Sequence, residues 1–144
     1  MIELLHAAFR GAVGAMTMTG VRVFADHAGL IREAPPSRLS RKHGGGLMKA
    51  VPRRRRRMTV ELVHWTMGAI FGAAFALLPD GVRRRAWAGP VYGLLVWVGF
   101  DGLVAPALGL TSRGWPKGRE RTVFLADHVL FGLVLSEMRS RPQA

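Results

Sequence analysis

This chain has no cysteine and few acids: nine Asp and Glu stand against 21 Lys and Arg over 144 residues, a net charge of +12. The missing cysteines exclude disulfides, thiolate metal sites and cysteine nucleophiles together, and they leave the redox compartment unmarked. Catalytic patterns are missing as well, since no Ser/His/Asp order, phosphate-cradling glycine loop or zinc-protease helix motif occurs. Met1 to Phe9 bring no basic region ahead of their apolar run, and no compact hydrophobic region with a small-residue cleavage site follows. The N-terminus is therefore expected to stay as a structural helix. Charge is also missing locally, because no Asp, Glu, Lys or Arg falls between Trp65 and Leu78.

What is present is basic charge gathered into blocks. Ten of the 21 Lys and Arg lie between Arg32 and Arg57, and four between Arg113 and Arg121. A nucleic-acid binder interleaves its basic residues along an amphipathic element, leaving one face polar. Segregated basic loops instead suit anionic lipid headgroups, so membrane lipids are the expected partner and nucleic acid is not. Arg53 to Arg57 run straight into an apolar stretch, the pattern that fixes which end of a membrane helix stays in the cytoplasm.

The fold class expected is an all-α integral membrane protein, a four-transmembrane-helix bundle with helices at about 4–28, 59–79, 87–110 and 122–138. The span from Trp87 to Leu110 has Asp101 as its one ionisable group and is long enough to cross ~30 Å of hydrocarbon. Pro90 falls in its first turn, and Pro106 near its end predicts a kink. Arg10 and Arg22 interrupt the first segment, which either spans with both arginines snorkelling or lies as an amphipathic helix in the interface. Spanning is preferred, because Gly11, Ala15 and Thr19 recur every four residues, as on a close-packed face.

With four spans, the loops 29–58 and 111–121 share one side and carry fourteen basic residues. The other side holds five: Arg83, Arg84, Arg85, Arg139 and Arg141. Both termini are thus expected outside the cytoplasm, with the basic loop 29–58 inside. Pro35-Pro36, Gly44-Gly45-Gly46 and Pro52 keep that loop irregular. Arg53, Arg54, Arg55, Arg56 and Arg57 are read as its topology anchor, with acidic lipid or a partner as further uses.

Two kinds of residue mark the interior. Gly68-xxx-Gly72, with Ala76 beyond, and Gly89-xxx-Gly93 offer flat stripes for close helix packing, within the bundle or across a dimer. Ionisable residues within the spans must face protein or water. Glu61 and His64 fall in the first two turns of the second helix, Asp127 and His128 in those of the fourth. Both histidines then lie ~8 to 10 Å inside the basic side, and Asp101 ~14 Å from it. Arg22, Asp26 and His27 close the first helix there, which predicts one intramembrane polar layer. Glu61-x-x-His64 suits a metal site or a proton relay, and His64 with His128 could clamp a haem, but carboxylates locking the bundle against Arg22 or a histidine is the leading reading. No cofactor and no metal is expected. Trp65, Trp87 and Trp115 fall at predicted helix ends, where indoles anchor at headgroups, while Trp97 is read as a packing residue.

Gly11-Ala-Val-Gly-Ala-Met-Thr-Met-Thr-Gly, followed by Gly29-Leu-Ile-Arg-Glu-Ala-Pro-Pro, resembles the opening of the YagU-like small membrane proteins of bacteria. The stretch from Tyr92 to Leu110 and the closing Asp127-His128-Val-Leu-Phe-Gly-Leu are similar too. The resemblance implies a bacterial cytoplasmic-membrane protein. A histidine is expected in that family where Asp101 stands, a departure that weighs against any shared metal or haem role. The function expected is a non-enzymatic accessory or structural subunit, in a homodimer or larger membrane complex. The alternative is a small transporter or proton-conducting protein using Asp101, Asp127 and His128.

Overall fold

The computed structural model describes residues 1–30, 51–100 and 119–137, and among these the chain is helical with no strand. Helix α1 is Ile2–His27, α2 is Arg53–Ala76, α3 is the single turn Asp80–Arg83, α4 is Ala88–Gly99 and α5 is Arg119–Glu137. Each end has a local cause. α1 stops at Gly29, whose φ of 66° is open to glycine without steric penalty. The Gly29 N–H then returns to the Asp26 carbonyl at 3.1 Å and that of Leu30 to Ala25 at 2.9 Å, the paired bonds of a Schellman cap. α2 tightens over its last residues and is stopped by Pro79, whose carbonyl accepts from Val82 and Arg83 to start α3. Arg83 braces that corner, donating to the Ala76 carbonyl at 3.3 Å and pairing with Asp80.

The helix boundaries differ from the sequence expectation in one instructive place. α2 begins at Arg53, so the five arginines belong to the helix and not to the loop 29–58. Arginine is a good helix former, and the Pro52 carbonyl at the cap accepts the Arg55 N–H at 2.8 Å to open the first turn. α1 begins two residues earlier than expected and α5 three. The described part of the third helix ends by Phe100, so Asp101, Pro106 and Trp115 lie outside the described residues.

Two antiparallel hairpins make the bundle. In the first, α1 packs on α2 with Gly11 opposite Gly68 and Gly72, Ala15 on Gly68, and Ala7 on Gly72. A Cβ on Gly72 would stand 2.8 Å from the Gly11 Cα, so the two backbones touch with no side chain between them. In the second, α4 packs on α5 with Gly89 against Gly132 and Ser136, and Gly93 against the His128 backbone. The hairpins dock through α1 and α5, where Phe131 covers Gly14. Tyr92 closes the ring by donating to the Phe71 carbonyl at 2.8 Å and meeting Phe75 edge-on. Met18, Phe75, Ala88, Phe131 and Leu135 form the apolar core, towards the end of the bundle remote from Arg53–Arg57.

Among the described residues one helix, Arg54–Ala76, is long and apolar enough to cross a membrane, and Ala88–Gly99 is apolar but shorter. The outward faces of the others are apolar as well: Phe9, Met16 and Phe24 of α1, Leu95 and Val98 of α4, and Leu125 and Leu133 of α5 are all exposed.

Candidate functional site

Arg22 points inward because of its place on α1. The buried positions Gly11, Ala15, Met18, Arg22 and Ala25 recur at spacings of four and three, so one stripe carries the small residues and the arginine together. From that stripe the Arg22 Nε donates to Asp127 Oδ2 of α5 at 2.7 Å. Its Nη2 lies 3.2 Å from His64 Nε2 of α2. A guanidinium only donates, so the His64 Nε2 accepts and its Nδ1 carries the proton. One side chain thus ties three helices together. Asp127 is 1% exposed and is the largest fully buried side chain among the described residues.

Next to the ion pair, Thr19 joins α1 to α2 a second time. Its hydroxyl donates to Glu61 Oε2 at 2.9 Å, shorter than the 3.3 Å to the Ala15 carbonyl. The Trp65 indole N–H donates to the Thr19 hydroxyl oxygen at 3.4 Å. Two polar atoms of the layer are left over. Among the described residues the Nδ1–H of His64 has no acceptor and Asp127 Oδ1 has no donor, although both are buried.

The residues expected in one layer divide. Arg22, Glu61, His64 and Asp127 are brought together by these bonds. Asp26 is exposed, because the buried stripe passes through Ala25 and leaves its neighbour to the outside. His128 shares the depth of Asp127 but faces a different direction, and its Nδ1 donates to the Phe124 carbonyl of its own helix at 2.8 Å. Asp101 lies outside the described residues. Trp65, read as a headgroup anchor, is a half-buried helix-to-helix contact, and Trp97 is buried with the Arg121 guanidinium 5.5 Å from its ring centroid. Gly68, Gly72, Gly89 and Gly93 all lie at helix contacts.

Some contributors were not singled out from the sequence. Thr19 had been noted for its size alone, and its hydroxyl is what the site uses. Gly132-xxx-Ser136 is a small-residue pair that answers the stripe on α4, and its spacing was there to be found. Tyr92 carries no sequence signal for its partner, a backbone carbonyl on another helix.

Among the described residues no three His, Asp or Glu side chains form a set that could hold a metal. The layer's side-chain bonds run mainly between helices. Chemically it can lock helix positions and present one spare donor and one spare acceptor. No protein-family model, curated protein or solved structure matches this chain.

Proposed function

We propose that the chain is a multi-pass protein of a bacterial cytoplasmic membrane. In this reading it is a four-helix bundle with both termini outside the cytoplasm, acting as a non-enzymatic accessory or structural subunit in a homodimer or larger membrane complex. The observation that carries the reading is inverted burial. Asp127 is the largest fully buried side chain among the described residues, held by a buried arginine, while Phe24 is 71% exposed and shares the outside with Phe9, Ile70 and Leu95. In water both halves of that arrangement are unfavourable, and in a bilayer both are favourable. The subunit role is supported by the site itself, whose bonds fix helices against one another. Kinship with the YagU-like proteins belongs to the same proposal and is supported by the stretches 11–20, 29–36, 92–110 and 127–133.

Membrane fractionation with alkaline carbonate extraction, together with a topology reporter fused at Ala144, tests the reading. The protein should stay in the carbonate-resistant pellet with the reporter outside. Release into the supernatant would refute the membrane location, and cytoplasmic labelling of the tail would refute the four-span topology.

A second reading, a small proton- or ion-conducting protein, is favoured by one observation: His64 Nδ1 and Asp127 Oδ1, without a partner among the described residues, are a buried donor and acceptor that water would satisfy. Flux across proteoliposomes separates the two. Background flux in the wild type supports the subunit role, and flux abolished by His64→Phe supports conduction.

A further inference from the structure

A helix that begins at Arg53 fixes the directions of Arg54, Arg55, Arg56 and Arg57. At 3.6 residues per turn these four circle the whole axis within ~5 Å of rise, a crown around the rod and not a stripe along it. Arg54, Arg55 and Arg57 are exposed, while Arg56 turns back and its Nε donates to the Val51 carbonyl at 3.1 Å. The first turn of α2 holds no acid, and among the described residues no carboxylate pairs with Arg54, Arg55 or Arg57. Just below the crown Met58, Leu62 and Val63 are exposed. Arg55, Met58 and Leu62 stand three and four residues apart, one above another on a single face.

A nucleic-acid strand follows a stripe or patch of cations along a surface. A lipid leaflet presents a plane of phosphates with hydrocarbon directly beneath. Charge encircling one end of a rod, with apolar side chains under it, matches the plane. The geometry points to an anionic phospholipid site at the N-terminal end of α2, with phosphate on the guanidinium groups of Arg54, Arg55 and Arg57 and acyl chain against Met58, Leu62 and Val63. Guanidinium takes phosphate through two parallel hydrogen bonds, which strengthens and orients the contact. At the other end of α2, Arg83 is engaged by Asp80 and the Ala76 carbonyl. This inference rests on the membrane reading above.

Native mass spectrometry of the purified full-length protein, loaded with phosphatidylglycerol or phosphatidylcholine, reads lipid retention directly. The wild type should retain the anionic lipid in preference, and added salt should weaken that preference. The triple variant Arg54→Gln/Arg55→Gln/Arg57→Gln should lower retention on the order of a hundredfold, since each cation near an anionic leaflet contributes roughly fivefold. Arg84→Gln, exposed at the opposite end, should leave it unchanged, and circular dichroism checks that each variant is folded. Equal retention of the two lipids by the wild type overturns the inference even if the triple variant fails to fold. An equal loss in both variants, or displacement of lipid by inorganic phosphate or duplex DNA, overturns it in favour of a general anion effect. Carbonate extraction reports separately on the membrane reading, so a protein that stays in the pellet yet shows no lipid preference sinks this inference alone.

Discussion

Removing Asp127 should be the most damaging single change to this bundle, and restoring neutrality should undo most of it. The Arg22–Asp127 pair is 2.7 Å long, with side chains 8% and 0% exposed. Breaking a buried pair by removing one partner destabilises by about 3 to 5 kcal/mol, because the other charge is stranded. The lower end, about 3 kcal/mol, is expected in detergent, where the unfolded chain keeps its helices in the micelle and finds other partners. The two single variants should differ. In Asp127→Leu the guanidinium cannot shed its charge, whereas in Arg22→Met the stranded carboxyl can take up a proton. The double variant Arg22→Met/Asp127→Leu replaces both ions by apolar groups and should recover most of that loss, less the bond that His64 Nε2 gives up with Arg22. Equilibrium unfolding in mixed micelles, followed by circular dichroism, gives the four free energies of the cycle. A coupling above about 2 kcal/mol is expected. Additive effects, or a double variant as unstable as Asp127→Leu, would refute the claim that the two residues act as one buried unit.

The glycine seam gives a second expectation: Gly72→Leu should lower the melting temperature in detergent, because the new side chain meets the Gly11 Cα at 2.8 Å and N at 2.9 Å, and backbone on both sides costs about 1–3 kcal/mol to displace. Gly20→Ala is the control, since nothing among the described residues lies within 4 Å of a Cβ there, and an equal melting temperature for both variants would place the seam elsewhere. Tyr92→Phe removes the bond to the Phe71 carbonyl and should cost about 0.5–1.5 kcal/mol, read by the same melts, with no change arguing that α4 does not close on α2 through that hydroxyl. Thr19→Val keeps the shape of the side chain but frees Glu61 Oε2 and the Trp65 N–H, so indole emission should shift unless Trp65 is first replaced by Phe.

The helices were legible because length and apolar content decide where a backbone folds on itself, and those are read directly. The start of α2 was not. Five arginines in a row look like loop, since charge is associated with solvent, yet the propensity of arginine for the helix is close to that of leucine. Charge determines where a helix can lie; it does not prevent the helix from forming. The small-residue seams were legible on the side where glycine recurs at four, as at Gly68 and Gly72. They were missed at Gly132, whose partner four residues on is a serine.

The site was legible in height and not in direction. Counting residues from the basic end placed His64, Asp127 and His128 at one depth, and the contacts agree with antiparallel neighbours at that level. Adjacent residues on a helix point about 100° apart, however, so Asp127 and His128 cannot both face α1. Only packing decides which does. Gly93 and Gly132 press α4 against the His128 backbone, and Phe131 occupies the gap at Gly14, which leaves the next turn of α5 to present Asp127 to Arg22. The glycine seams therefore act on the polar layer at a distance. The glycine contact in each hairpin is itself nearly blind to register, because a glycine stripe can slide by a turn and still be flat, and in the first hairpin the Thr19–Glu61 and Arg22–His64 bonds fix it. The ion pair cannot slide, since a shift of one turn, ~5.4 Å, would strand both charges. Close packing within the hairpins and one exacting pair between them are complementary, and the pair sets the register of one hairpin on the other.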